Sequence, residues 1–230
     1  MRFPEKCPPI VVSGFESFNG RPVNSSGVVG QAMAEGEPDT HFVEFPVRWG
    51  VPGDWLARWP GPPKAWIALG EASDHFRLEA LASNRRVAHL DNLGELPPVP
   101  EVIPGAPPLL NSAPLAELAA LLTSAGYPTG ISDNAGAYLC DEIFYQLLHH
   151  RENIWRSETL VLFVHLPIVG SPVPGSPADA DPRPVADIPF FQDYARHLLR
   201  CVRTVMDLPS VGPDSYALAA AAKDLHIGTK

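Results

Sequence analysis

The chain has 230 residues, 45% of them hydrophobic, enough for one substantial core and an expected single domain over residues 1–230. Acidic residues outnumber Lys plus Arg by 26 to 17, and the net charge of −9 argues against nucleic acid or an anionic membrane as a partner. No stretch approaches the ~20 continuous apolar residues of a membrane span. The N-terminus lacks a signal-peptide apolar core, and Cys7, Cys140 and Cys201 are spaced for neither a disulfide framework nor zinc. A reducing cytoplasm is therefore the expected home.

In chain order, Pro9 to Phe15 is a short apolar run ending beside a glycine, the pattern of a buried parallel strand. A polar loop follows, and Ser26 is expected to cap a helix running to about Glu35. Phe42 to Val47 alternates as a second strand, which Pro46 pushes towards an edge or a bulge. Ala65 to Gly70 reads as a third strand. Ser112 to Ala125 carries leucines at helical spacing and is stopped by Gly126. Thr129 to Ser132 is a brief strand, a helix carries Cys140 to about His150, and Thr159 to His165 is a fully apolar strand ending in histidine. Asp187 to Leu208 and Asp214 to Leu225 read as closing helices. Of the 27 prolines, many fall in two tracts, 97–108 and 167–189, which can continue neither a helix nor a central strand and so read as long loops. Strands that alternate with helices, several of them apolar on both faces, predict a three-layer α/β/α sandwich around a mostly parallel or mixed central sheet.

The chemistry centres on Asn134-Ala135-Gly136-Ala137-Tyr138-Leu139-Cys140 and on Val164-His165-Leu166-Pro167. A free cysteine on its own packs as a small buried hydrophobe. Here a small-residue turn delivers Cys140 to the first turn of a helix, where the dipole favours a thiolate, and Ala135 and Gly136 leave room for a substrate carbonyl to meet backbone N–H groups. His165 leaves the carboxyl end of a buried strand, where open α/β sheets bind ligands, and an imidazole there can move the thiol proton. Asp141 and Glu142 suit a helix N-terminus but oppose the thiolate. The remaining histidines read as surface or loop residues. Glu71, Asp74 and Glu79 follow the third strand, and composition does not choose which of them orients the imidazole.

Four segments together resemble the type I pyroglutamyl peptidases, also called pyrrolidone carboxyl peptidases. Gly14-Phe15-Glu16-Ser17-Phe18-Asn19-Gly20 with Asn24 and Ser26 is similar to the family's GFEPFGG…NPS. Leu78-Glu79 with Ala82 and Asn84 is similar to VERVAIN, Asn134 to Asp141 to SAGTYLCN, and Val164 to Pro167 to IHVP. The resemblance implies a cysteine peptidase that removes an N-terminal 5-oxoproline without a cofactor or metal. It puts Cys140 on the nucleophile, His165 on the base and Glu79 on the acid that orients it. Phe15, Phe18, Glu71 and Leu139 fall beside the substrate. The implied partners are peptides with blocked N-termini, and the implied assembly is a homo-oligomer, a dimer or tetramer with the proline tracts as contacts. Two departures stand out: Asp141 replaces the usual asparagine, and Val87 to Asn92 replaces ARIPDN without its arginine, unless Arg85 or Arg86 substitutes. An alternative keeps the triad for another small cyclic or N-blocked amide; a third reading is a weakly catalytic relative that binds blocked peptide termini.

Overall fold

A computed structural model of the chain describes residues 4–72 and 75–207. The first apolar run forms β1 (Ile10–Phe15), buried along its whole length. Helix α1 (Ser25–Ala34) follows, and its cap is Asn24 rather than Ser26. The Asn24 side chain accepts the Ser26 N–H at 3.0 Å, while the Ser26 hydroxyl accepts the Phe15 N–H at 2.9 Å. Ser26 thus sits inside the helix and ties it to β1. The strand expected at Phe42 to Val47 is β2 (Thr40–Phe45), which ends just before Pro46 and lies at the sheet edge.

The short helix α2 (Val51–Leu56) leads to β3 (Ala65–Glu71), then β4 (Phe76–Glu79) and the two-residue strands β5 (Leu81–Ala82) and β6 (Leu109–Leu110). Helix α3 (Leu115–Ser124) gives way at Gly126, whose φ of +96° glycine adopts without a Cβ penalty. After β7 (Thr129–Ser132) comes α4 (Leu139–His149), which runs on into a π-helical segment, His150–Trp155. The chain returns through β8 (Leu160–Leu166) and ends its described part in α5 (Ile188–Met206), capped by the Asp187 side chain on the Phe190 N–H. The helix expected over Asp214 to Leu225 lies outside the described residues.

The main sheet runs β2-β1-β3-β8-β4-β7. All neighbours are parallel except β4 and β8, which run antiparallel; β5 and β6 pair separately. Alternate residues build two cores. Ile10, Val12, Ile67, Leu69 and Val164 face α1, α3 and α5, while Val11, Trp66, Ala68 and Phe163 face α2 and α4. The result is the expected three-layer sandwich with a mixed sheet. Phe191, Tyr194, Ala195, Leu198 and Val202 place α5 in its layer with a single apolar stripe. Each large side chain buried this way contributes about 1.5–3 kcal/mol, so the alternation itself fixes which face each strand residue takes. Both proline tracts are irregular and largely exposed, apart from a bridge between Pro172 and Val185. Among the described residues, no helix is long and apolar enough to cross a membrane.

Candidate active site

The turn before α4 is built by its own side chains. Asn134 Oδ1 accepts the Gly136 N–H at 3.1 Å, and Gly136 and Ala137 both take positive φ, +94° and +56°. For Ala137 that left-handed conformation costs about 1–2 kcal/mol, strain stored immediately ahead of the helix. Tyr138 is the N-cap, so Cys140 is the second helical residue, and no side chain caps the first N–H groups. The Gly136 N–H is therefore already engaged, and the open donors for a substrate carbonyl are those of the helix start.

Three expected residues converge at the carboxyl ends of β3 and β8. His165 is in register with Gly70 on one side and with Arg77 of antiparallel β4 on the other. Its Nδ1 lies 2.7 Å from Glu79 Oε1, with both residues buried. That contact assigns the proton to Nδ1 and leaves Nε2 as the acceptor. A Cβ added to Gly70 would lie 2.7 Å from Cys140 Sγ, 2.9 Å from Phe163 Cζ and 3.2 Å from His165 Cδ2. The sulfur and the imidazole therefore border the same space over Gly70, which leaves no room for a side chain. Cys140 is half-buried. Burial first, then the Asp141 and Glu79 carboxylates, push its thiol up to about 12, against the lowering effect of its own backbone N–H. The thiol is protonated at rest.

Each carboxylate around the thiol has a different partner. Glu71 is enclosed, with Oε1 2.5 Å from the Arg21 guanidinium and Oε2 accepting the Ser25 N–H at 3.0 Å. Glu142 is buried on α4 and paired with Arg86 at 2.5 Å, and Gly50 also donates to it. Burial nonetheless raises its carboxyl, with Arg86 opposing. Arg86 is thus committed to Glu142 rather than freed towards a substrate, and Arg85 is exposed. Asp141, 1% exposed, accepts the Ser83 N–H at 2.9 Å and the Ser83 hydroxyl. Burial pushes it up to about 6 despite those bonds. Asp74 lies outside the described residues.

Leu139 is buried, and Phe15, also buried, packs on Phe45 with ring centroids 6.3 Å apart. Phe18 is half-buried and 5.6 Å from the Tyr138 ring. Sequence reasoning missed the aromatics that join it: Trp49 and His89 each meet Tyr138 edge-on at 5.0 Å. Trp49 Nε1 donates to the His89 carbonyl, and the Tyr138 hydroxyl to that of Leu90. Tyr138, inside the cysteine motif, was the available signal. Among the described residues, no group of three or more His, Cys, Asp or Glu is placed to hold a metal ion. A cavity of about 960 Å³ bordered by Lys64, Arg151, Thr159 and Met206 lies at the opposite ends of β3 and β8 and shares no residue with this cluster.

A sequence model described as pyroglutamyl peptidase matches residues 59–184. A pyrrolidone-carboxylate peptidase of Gloeobacter violaceus is 32% identical over 167 residues, covering 69% of this chain and 80% of the relative. That of Oceanobacillus iheyensis is 30% identical over 166 residues, 69% and 83% respectively. In fold, the chain is similar to pyroglutamyl peptidase I of Bacillus amyloliquefaciens, with a TM-score of 0.70 at 20% identity over 86% of this chain and 98% of that one. The pyrrolidone carboxyl peptidase of Fervidobacterium islandicum gives 0.68 at 24% identity over 86% and 99%. Family match, relatives and fold agree: the chain belongs to the pyroglutamyl peptidase family of cysteine-type omega-peptidases.

Proposed function

We propose that the protein hydrolyses the amide bond after an N-terminal 5-oxoproline residue, with Cys140 as nucleophile, His165 as base and Glu79 as the group that orients it. The observation carrying this reading is the 2.7 Å contact between His165 Nδ1 and Glu79 Oε1 on adjacent strands, with the Cys140 sulfur beside the same ring.

Because the thiol is pushed up to about 12, the thiolate is made during attack rather than held in advance. His165 Nε2 takes the proton as sulfur adds to the carbonyl, and Glu79 holds the ring and stabilises the imidazolium. The oxyanion develops towards the uncapped N–H groups at the start of α4. His165 then gives its proton to the leaving amine. The same ring activates a water that cleaves the thioester, releasing 5-oxoproline and restoring the thiol. A neutral lactam suits apolar walls with few polar partners, and half-buried Phe18 with the Tyr138, Trp49 and His89 rings supplies such a wall, backed by buried Phe15 and Leu139. Glu71, already paired with Arg21, borders the pocket without bringing an uncompensated charge to it. The wider reading is a cytoplasmic thiol peptidase acting on blocked peptides as a dimer or tetramer.

The test is turnover of a chromogenic pyroglutamyl amide beside its prolyl and glutaminyl counterparts. Cleavage of the pyroglutamyl compound alone, abolished in C140A, is the expected result. Equal or greater cleavage of a counterpart would sink the assignment.

A further inference from the structure

Beyond the three residues above, we infer that Arg77 is a positioning residue of the site: from the strand position opposite His165 it sets its guanidinium towards Glu79 and brings a second positive charge to the carboxylate that holds the imidazole. The inference rests on the proposed triad.

Arg77 and Glu79 lie two apart on β4 and so share a face, while Phe76 and Leu78 enter the other core. Across the antiparallel ladder, Arg77 stands directly opposite His165. One oxygen serves both cations: Glu79 Oε1 is 2.7 Å from His165 Nδ1 and 3.8 Å from Arg77 Nε. Arg77 Nε is itself buried without a hydrogen-bond partner, and so is Glu79 Oε2. The 3.8 Å approach of Nε to Oε1 is a charge contact too long for a hydrogen bond, and it leaves Arg77 Nε and Glu79 Oε2 each buried without a hydrogen-bond partner. The arginine is not a buried structural ion, since its side chain is 37% exposed.

The surrounding charges give the contact its meaning. Glu71 at the end of β3 faces Arg21, and Glu142 on α4 faces Arg86. Glu79 faces Arg77 at a longer 3.8 Å, while Asp141 of α4 has no arginine and exposed His75 precedes β4. Removing Arg77 would leave Glu79 entirely to the imidazole and delete a neighbouring like charge. Imidazolium would then form more readily, and the base would be lost at higher pH.

The experiment compares Arg77→Gln and Arg77→Lys with the parent. Two pH profiles are read: kcat/KM on a pyroglutamyl amide, and the rate at which iodoacetamide alkylates Cys140, followed by mass spectrometry of its peptide. In Arg77→Gln the acid limb of both should move up by about half a unit, roughly a threefold loss at a pH below the limb, with KM nearly unchanged. Arg77→Lys keeps the charge and should keep the limb. If Arg77→Gln does not fold, Arg77→Met retains the stem and replaces it. A folded neutral variant whose limb stays in place overturns the inference, even if its melting temperature falls. Should the parent turn over no pyroglutamyl amide, the proposed reaction fails, and the alkylation profile still decides the role of Arg77.

Discussion

Asp141 differs from the other carboxylates near the thiol because only Ser83 and backbone N–H groups answer its charge. After burial, its charge is also the strongest influence raising the Cys140 thiol. Asp141→Asn keeps an acceptor for the Ser83 N–H and removes the charge. The thiol should titrate lower by about 0.5–1 unit, and alkylation at neutral pH should speed up by the corresponding factor. An alkylation-rate titration of both forms measures this, and an unchanged profile would mean that Asp141 does not raise the thiol. Sequence reasoning identified Asp141 as the opponent of the thiolate but did not count burial, which depends on α4 packing against β3 and β8. Glu79 and Glu71 separate in the same way. Glu79→Gln should lower kcat at least about a hundredfold, as expected for a lost orienting acid, with little change in melting. Glu71→Gln breaks the pairing with Arg21 and should show first in KM and stability. Equal kcat losses in the two variants would contradict the assignment of Glu79.

Elements reveal where the sequence could be read and where it could not. Strands β1, β3 and β8 are apolar on both faces, and α3 and α5 have clear stripes, so their existence follows from periodicity. Helix α2 did not: Val51-Pro52-Gly53-Asp54-Trp55-Leu56 is six residues with a proline and a glycine, and it is held by burying Pro52, Trp55 and Leu56. Strand β4 was not among the expected elements: Phe76-Arg77-Leu78-Glu79 follows β3 with no glycine or proline to mark a new element. That omission left the orienting acid open to the residues alone, since only the insertion of β4 between β8 and β7 brings Glu79, rather than Glu71, to His165. The approach of α4 to β3 depends on Gly70. Gly70→Ala would drive a methyl into Cys140, Phe163 and His165, and should abolish turnover while costing about 1–3 kcal/mol of stability, measured by urea unfolding.

For the molecule as a whole, one buried carboxyl imposes a pH dependence on folding. Asp141 is pushed up to about 6, above the ~3.9 of an unfolded chain. Its protonated form is favoured in the folded state, so its contribution is complete below pH ~4 and is lost as pH rises through about 6. The stability of the parent relative to Asp141→Asn should fall between pH 4 and 7 by roughly 3 kcal/mol, with the change confined to that window. Melting curves of both proteins across the range test the sign. The proposed self-assembly is tested at the same scale. Leu90, Leu93, Leu96 and Val99 are exposed on a segment running into the first proline tract. Sedimentation should give a mass above 24.9 kDa, and Leu93→Asp with Leu96→Asp should bring it back to that value. Finally, the contact between Glu79 and His165 spans two strands whose mutual alignment is one particular ladder. Sliding β4 along β8 by a single residue would present Leu78 or Ala80 to the ring and turn the carboxylate to the opposite core. Misaligned molecules would then be silent rather than sluggish, so specific activity in a refolded sample should count correctly assembled copies directly, each working at full rate or not at all.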